Sequence, residues 1–297
     1  MRTVRAVAAL RAALEPHRAS ARAIGLVPTM GALHEGHLSL IAHARAHCDV
    51  VVVSLFVNPS QFNERADLER YPRDERRDAE LAMGAGADLL FAPPVEEVYP
   101  PGFATAVEVL GLTDRLEGAA RGSEHFRGVT TVVTKLLCMC MPQVAYFGQK
   151  DAQQLVVIRR LVADLNLPVR IEALPTVRDR DGLALSSRNV LLSEAARARA
   201  LALPAALQAA GECVAEGERS ASAVVHAATA RLRARGVEPE YVALVDPDTF
   251  EPLEDLGGAG LLLLAARVGE VRLIDNAVLE AERASDPRQP LPGKALA

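Results

Sequence analysis

The chain has no tryptophan and few aromatic residues of any kind, yet half of its 297 residues are apolar, so its core must be built from aliphatic side chains. Cysteine is scarce: Cys48, Cys138, Cys140 and Cys213 show no C-x-x-C spacing. That pattern excludes a disulfide scaffold and reads as buried, reduced thiols in a reducing compartment. Long apolar runs are missing too. Even Leu261–Ala266 is soon broken by Arg267, well short of the roughly 20 residues a membrane span takes. The N-terminal stretch MRTVRAVAALRAALEPHR threads arginines through apolar positions, the pattern of an amphipathic helix rather than a signal peptide. Basic excess is absent as well, with a net charge of -5. No nucleic-acid partner is expected, and any phosphate must be met by a local site. Together these absences describe a soluble, cytoplasmic protein with no membrane partner. Neither G-x-x-x-x-G-K-[ST] nor G-x-G-x-x-G occurs, so the common ATPase and dinucleotide templates do not apply.

What is present is alternation. Ile24–Thr29 is a short apolar run that passes through Met30-Gly31-Ala32 into a helical stretch from Gly36 to about His47, and the β-branched run Val50–Val57 follows. This is a βαβ unit, which implies a parallel sheet covered on both faces. The pattern continues with a helix near Arg73–Ala85, a strand near Asp88–Ala92, a helix over Val129–Cys140 and a strand at Val144–Gly148. A helix at Ala152–Leu165 and a strand at Val169–Leu174 complete it. Such alternation predicts a doubly wound, Rossmann-like α/β domain over residues 1–188. After Asn189 the texture changes to Ala-rich helices (Ser193–Ala215, with Pro204 as a kink or true start, and Ala221–Arg235). Strands near Tyr241–Val245, Leu261–Ala266 and Val271–Asp275 follow, predicting a smaller α+β domain over 189–285. Residues 286–297 are polar and Pro-rich and read as a loose tail.

Three segments fall at predicted carboxyl ends of strands, where α/β sheets present ligands to helix N-termini. The first is Pro28-Thr29-Met30-Gly31-Ala32-Leu33-His34-Glu35-Gly36-His37. Two histidines three apart at a helix mouth can both face one phosphate and donate to charge developing in a transition state. Gly31 and Gly36 let a nucleotide approach the backbone. Surface histidines at a helix start fit the same residues; a zinc site fits poorly, because H-E-x-x-H requires four-residue spacing. The second segment, Asp181 to Asn189, offers Ser186, Ser187 and Arg188, hydroxyls and a guanidinium fork suited to outer phosphates, although such a run taken alone is more often an ordinary helix-entry cap. The third, Gly148-Gln149-Lys150-Asp151, puts a lysine on the same edge with Asp151 as a helix cap. Asn58, Gln61, Gln153 and Gln154 supply neutral amides suited to a small polar substrate, or to a solvated loop.

In this order the segments PTMGALHEGH, SLFVNPSQF, ERYPRD, HFRGVTTVV, YFGQKDAQQ and PTVRDRDGLALSSRN closely resemble the pantothenate synthetase (pantoate–β-alanine ligase) family. That family belongs to the nucleotidylyltransferase superfamily, whose HIGH-type motif and KMSKS-like loop are similar to those of class I aminoacyl-tRNA synthetases. The resemblance implies attack of a pantoate carboxylate on the α-phosphate of ATP, then transfer of the pantoyl group from the adenylate to β-alanine. It assigns His34 and His37 to the ATP phosphates, with His37 catalytic. Lys150 falls to the α-phosphate, and Ser186, Ser187 and Arg188 to the outer phosphates. Met30, Gly31, Gly148, Asp151, Val177 and Leu185 line the nucleotide site, while Gln61 and Gln154, near Pro28 and Met30, hold pantoate. Asn58 and Gln61 lie where β-alanine approaches. Mg²⁺ arrives with the triphosphate and uses few protein ligands, with Asp78 matching a family aspartate that helps there, and the family's homodimer forms through the N-terminal domain. Two positions depart from common family usage: Gln149 stands where some members carry glutamate, and Leu185 where methionine is frequent. The polar stretch from Asn63 to Tyr71 is expected to close over substrate. Two alternatives stand beside this reading: another HIGH-motif nucleotidylyltransferase that keeps the nucleotide on its product, and a nucleotide-binding regulator without turnover.

Overall fold

A computed structural model of the chain describes residues 1–63 and 65–281; the tail expected over 286–297 lies outside them. In chain order the elements are β1 (Arg2–Val4), α1 (Val7–Ala19), β2 (Ile24–Thr29), α2 (Glu35–His47), β3 (Val50–Leu55), α3 (Arg65–Arg70), α4 (Glu75–Gly84), β4 (Leu89–Phe91) and α5 (Val95–Val98). Then come α6 (Glu117–Arg121), α7 (Ser123–Cys140), β5 (Val144–Gly148), α8 (Ala152–Asp164) and β6 (Arg170–Leu174). The remainder is α9 (Glu194–Ala200), α10 (Ala202–Ala215), α11 (Ala221–Ala234), β7 (Pro239–Val245), β8 (Ala259–Val268) and β9 (Val271–Glu280).

The first six strands form one sheet in the order β1-β4-β3-β2-β5-β6, and every pair is parallel. Its central strands are apolar on both faces because both are covered. Ile24, Leu26, Val50 and Val52 pack on the side of α1 and α7, whereas Val27, Val51 and Val53 pack with Leu40, Ile41 and Ala44 of α2. Successive strand residues point to opposite faces, so a near-continuous valine run serves two cores at once. The strand order reverses at β2. A crevice therefore opens between the carboxyl ends of β2 and β5, the switch point at which doubly wound folds bind ligands. The expected α/β class and parallel sheet are present.

The last three strands form a separate antiparallel sheet, β7-β8-β9. Alternation decides its two faces. Leu262 and Leu264 pack with Val224 and Leu232 of α11, whereas Leu261 and Leu263 turn the other way onto Ala152 and Val156 of α8. The small sheet thus lies against the helix that leaves the central crevice.

Two local expectations are corrected and one is met. The N-terminal stretch is not one helix, because Arg2–Val4 pairs with β4 and covers an edge that would otherwise present unpaired amides. The helical stretch expected from Ser193 to Ala215 divides at Leu201, and α10 starts near Pro204, the expected kink or true start. Pro204 then sits in the first turn of α10, where its missing N–H costs nothing. Helix α7 begins at Ser123, six residues before its expected start, and runs through Gly128. That glycine is required by a neighbour: a Cβ there would stand 2.3 Å from the carbonyl oxygen of Ser60. The close approach docks the turn at Pro59–Gln61 onto α7 and so places Gln61. The four cysteines are all unpaired, but only Cys48 and Cys140 are buried, while Cys138 is exposed. No helix of the described residues is long and apolar enough to cross a membrane.

Candidate active site

A cleft of about 690 Å³ opens at the carboxyl ends of β2, β5 and β6 and is roofed by β9. Pockets of this size accommodate small-molecule ligands and cofactors. Pro28, Met30, His34, His37, Asn58, Gln61, Gly148, Lys150, Asp151, Gln154, Val177, Leu185, Ser186, Ser187 and Arg188 all line it. The three segments singled out in the sequence therefore converge. Gly31 and Asp78 do not line the cleft.

The turn after β2 explains both exceptions. Gly31 and Ala32 take positive φ values of 89° and 50°, which reverses the chain and aims two amides away from the cleft. The backbone N–H groups of Ala32 and Leu33 donate to the Asp78 carboxylate at 2.9 and 2.8 Å. A Cβ on Gly31 would meet an oxygen of that carboxylate at 2.9 Å. Asp78, which is buried, thus anchors the loop that carries the histidines. It sits behind the loop and is not among the residues that line the cleft.

His34 caps α2. Its Nδ1 accepts the N–H of Gly36 at 3.2 Å, and Nδ1 of His37 accepts the N–H of His34 at 3.4 Å. The two rings lie 4.1 Å apart. Because each Nδ1 faces a donor, the hydrogen-bond pattern assigns the proton of each neutral ring to Nε2. Burial, with Lys150 nearby, lowers His34 to about 4. Burial, reinforced by His34, lowers His37 to about 3. Near neutrality both rings are therefore uncharged, oriented Nε2–H donors. His125 at the start of α7 is likewise lowered to about 4 by burial and by Arg121, and its Nδ1 donates to the Gln61 carbonyl at 2.8 Å.

These three histidines predict an acid limb in stability. Their folded values lie below the ordinary 6.5, so as pH falls through 6.5 the unfolded chain binds protons that the folded chain refuses. Stability is then lost progressively as pH falls from about 6.5 through 4 toward 3. Urea unfolding should show a midpoint that falls from pH 7 to pH 5, and less steeply in a His125→Gln variant. An unchanged pH slope in that variant would contradict the assignment.

Asn58 is buried with both ends of its amide engaged. Its Oδ1 accepts from the Ser60 and Tyr99 hydroxyls, each at 2.8 Å, and its Nδ2 donates to Gln61 Oε1 at 3.0 Å and to the Gly128 carbonyl at 3.1 Å. The contact leaves the Gln61 Nε2 donors for the cleft, so Asn58 orients Gln61. Gln153 is also turned inward, holding Leu112, Arg115 and Glu117 by backbone contacts. Lys150 sits in the turn after β5, 20% exposed, with its Nζ 3.7 Å from Asp151. Ser186 caps the short turn Ser187–Leu191 by accepting the Arg188 N–H at 3.3 Å. The Ser187 side chain hydrogen-bonds the buried Tyr71 hydroxyl.

A model of the family described as pantoate-beta-alanine ligase matches residues 2–278. The chain belongs to that family. It is 53% identical to the pantothenate synthetase of Moorella thermoacetica over 281 residues, which cover 94% of this chain and 99% of that protein. It is 55% identical to the pantothenate synthetase of Cereibacter sphaeroides over 92% of this chain and 98% of that one. Among solved structures, pantothenate synthetase from Thermus thermophilus superposes with a TM-score of 0.88 at 50% identity, covering 93% of this chain and 99% of that one. The pantoate-beta-alanine ligase from Francisella tularensis, complexed with beta-gamma ATP and beta-alanine, superposes with a TM-score of 0.77 at 34% identity, over 94% and 97% of the two chains.

Within this member of the ligase family the cleft also holds residues that the sequence pattern does not single out. Glu117, Arg121, His125, Tyr241 and Arg272 line it, as do Tyr71 and Asn276. Glu117 lies at the centre of a buried network. It accepts two bonds from Arg272 at 2.8 and 2.7 Å, one from Arg121 at 2.9 Å and one from the Tyr241 hydroxyl at 2.8 Å. Burial alone would raise its carboxyl, but the Arg272 and Arg121 contacts outweigh that and hold it at about 2. His125 is the first residue of the HFRGVTTVV segment and Arg121 lies four residues before it, a signal already visible in the sequence. Tyr241 and Arg272 come from the second sheet, and only the fold brings them here.

Proposed function

We propose that the chain condenses pantoate with β-alanine through a pantoyl-adenylate intermediate, consuming ATP and releasing pyrophosphate and then AMP. The observation that carries this reading is the convergence of two neutral Nε2–H donors, Lys150 and the Ser186–Arg188 turn on one cleft at the β2/β5 switch point. Together with family membership over nearly the whole chain, it favours the ligase over a nucleotidylyltransferase that keeps the nucleotide on its product, and over a regulator without turnover.

In the first step a carboxylate oxygen of pantoate attacks the α-phosphorus in line and pyrophosphate leaves. Such a displacement requires placement and charge neutralisation more than covalent help. His37 is the catalytic donor to the phosphate, with His34 beside it, and Lys150 neutralises the α-phosphate oxygens. Arg188, with the Ser186 and Ser187 hydroxyls, takes the outer phosphates. Met30, Gly148, Asp151, Val177 and Leu185 line the nucleotide site, where Gly31 provides the turn. Gln61, aimed by Asn58, and Gln154 hold pantoate next to Pro28 and Met30. In the second step the amine lone pair of β-alanine attacks the acyl carbon. The bond to the phosphate oxygen breaks, AMP leaves, and the amine nitrogen gives up a proton.

Magnesium belongs to this reading as an ion delivered on the triphosphate. Such an ion keeps most of its water and takes few protein ligands. Asp151 is the carboxylate of the nucleotide segment that lines the cleft, whereas Asp78 supports the histidine loop. We place the catalytic domain over 1–188 and the smaller domain over 189–285. A homodimer formed through the first domain fits the family, and four unpaired thiols fit a cytoplasmic location. The test is ATP–pyrophosphate exchange without β-alanine. Exchange that requires pantoate supports the ligase, whereas exchange indifferent to pantoate, or none at all, refutes it.

A further inference from the structure

Strand β9 carries two opposed faces. Val271, Leu273 and Leu279 point into the core of the second sheet, while Arg272, Ile274 and Asn276 line the cleft. Arg272 and Asn276 are four residues apart, about 13 Å along a strand, and each grips a different part of the first domain. Arg272 grips Glu117. Asn276, which is buried, donates both Nδ2 hydrogens to successive carbonyls of the Lys150 turn, Gln149 at 3.0 Å and Lys150 itself at 2.9 Å.

The contact is fixed from behind. The Asn276 N–H donates to Asp275 Oδ1 at 2.8 Å. The buried Asp275 carboxylate in turn receives a two-pronged contact from Arg178, at 2.7 and 2.9 Å. Arg178 also donates to the Gly182 carbonyl at 3.1 Å. It stands in the hairpin tied by the bridge to Ala184 and by the Leu185 N–H to Val177 carbonyl bond at 3.0 Å. That hairpin leads directly into Ser186, Ser187 and Arg188. One dipeptide on the second sheet therefore joins the Lys150 turn to the hairpin that carries the serines and the arginine.

We propose that Asn276 is a positioning residue for adenylate formation, acting through its two hydrogen bonds to the Gln149-Lys150 turn to hold Lys150 against the α-phosphate. The proposal rests on the role given to Lys150 above. A backbone amide donor could not make both bonds, whereas the Asn side chain offers two N–H groups from one rigid plane. Fixing two consecutive carbonyls fixes the rotation of the turn, and with it the direction in which the lysine leaves the backbone. Among the described residues the lysine Nζ has a single ion-pair contact, 3.7 Å from Asp151, so the backbone below it must supply its aim. Asn276 touches no reacting atom in this account.

The experiment is a double-mutant cycle on pantoate-dependent ATP–pyrophosphate exchange, with Asn276→Leu, Lys150→Ala and the pair, each checked by thermal unfolding. Displacing a reacting group by about 1 Å can cost roughly 10²-fold in rate. The Asn276→Leu variant should therefore lose about 10- to 100-fold in the maximal exchange rate, with KM for pantoate changed less than about twofold. Asn276→Ser, which keeps one donor, should recover part of the loss, and it takes the place of the leucine variant if that chain does not fold. In the Lys150→Ala background the second substitution should cost nothing further. An Asn276→Leu or Asn276→Ser protein that melts earlier yet exchanges at the full rate when folded would overturn the proposal. So would losses that multiply in the double variant. Full exchange in Lys150→Ala alone would instead refute the site assignment itself, so the two failures are distinguishable.

Discussion

Lys150→Met should lower pantoate-dependent exchange by about 10²- to 10³-fold, the range for removing one preorganised electrostatic partner of a developing anion. Its fold should survive. The lysine side chain is 20% exposed and, among the described residues, its ion-pair partner is Asp151, at 3.7 Å. The turn below it is held by backbone carbonyls that methionine leaves in place. Methionine keeps the apolar stem, so the loss isolates the charge. Single-turnover formation of the adenylate checks this directly, and a rate within a few-fold of the parent would contradict the role of Lys150. The neighbouring histidines cannot take over, because burial keeps both uncharged, with values of about 4 and 3. They donate hydrogen bonds without supplying a formal charge.

The largest expected effect on stability lies at Arg272. It and Glu117 are both mostly buried, 15% and 10% exposed at their side chains, and form a two-pronged pair. Breaking a buried pair from one side leaves an uncompensated charge, at a cost of about 3–5 kcal/mol. Arg121 and Tyr241 still contact Glu117 when Arg272 is gone, so Arg272→Met should fall at the lower end, about 3 kcal/mol by urea unfolding at pH 7. The sign of the pH dependence follows from the carboxyl. Glu117 is held at about 2 against an ordinary 4.5, so its contribution is complete above pH 4.5 and fades as pH falls toward 2. The gap between parent and variant should therefore narrow on acidification through that window. A gap that widens there would contradict the network as drawn.

The parallel sheet is legible in the sequence because its strands are short apolar runs each followed by a turn and a helix, and the carboxyl edge of such a sheet is where ligands bind. Those two facts suffice to bring Met30, His34, Lys150 and Arg188 to one cleft. What escapes such a reading is decided by partners distant in sequence. Three residues at Arg2–Val4 carry no periodic signal and form a strand only because β4 offers an edge. The start of α7 is hidden by Gly128, a helix-weakening residue whose presence is dictated by the Ser60 carbonyl. Asp275-Asn276 resembles a strand end, yet β9 continues to Glu280, because Arg178 and the Lys150 turn satisfy those polar groups from outside the second sheet. Asp78 and Asn58 follow the same logic. Asp78 holds the backbone amides of the loop that carries the histidines, and Asn58, at the cleft wall, also holds the Gly128 carbonyl and orients Gln61.

The acyl-adenylate route is tested most directly by the fate of oxygen. Pantoate labelled with ¹⁸O in its carboxylate is converted with Mg-ATP and β-alanine, and the products are analysed by mass spectrometry. If the carboxylate attacks the α-phosphorus and the amine then breaks the acyl–oxygen bond, one labelled oxygen must leave in AMP and none in pyrophosphate. Unlabelled AMP formed alongside pantothenate would contradict the account, because no pantoyl adenylate could then have formed.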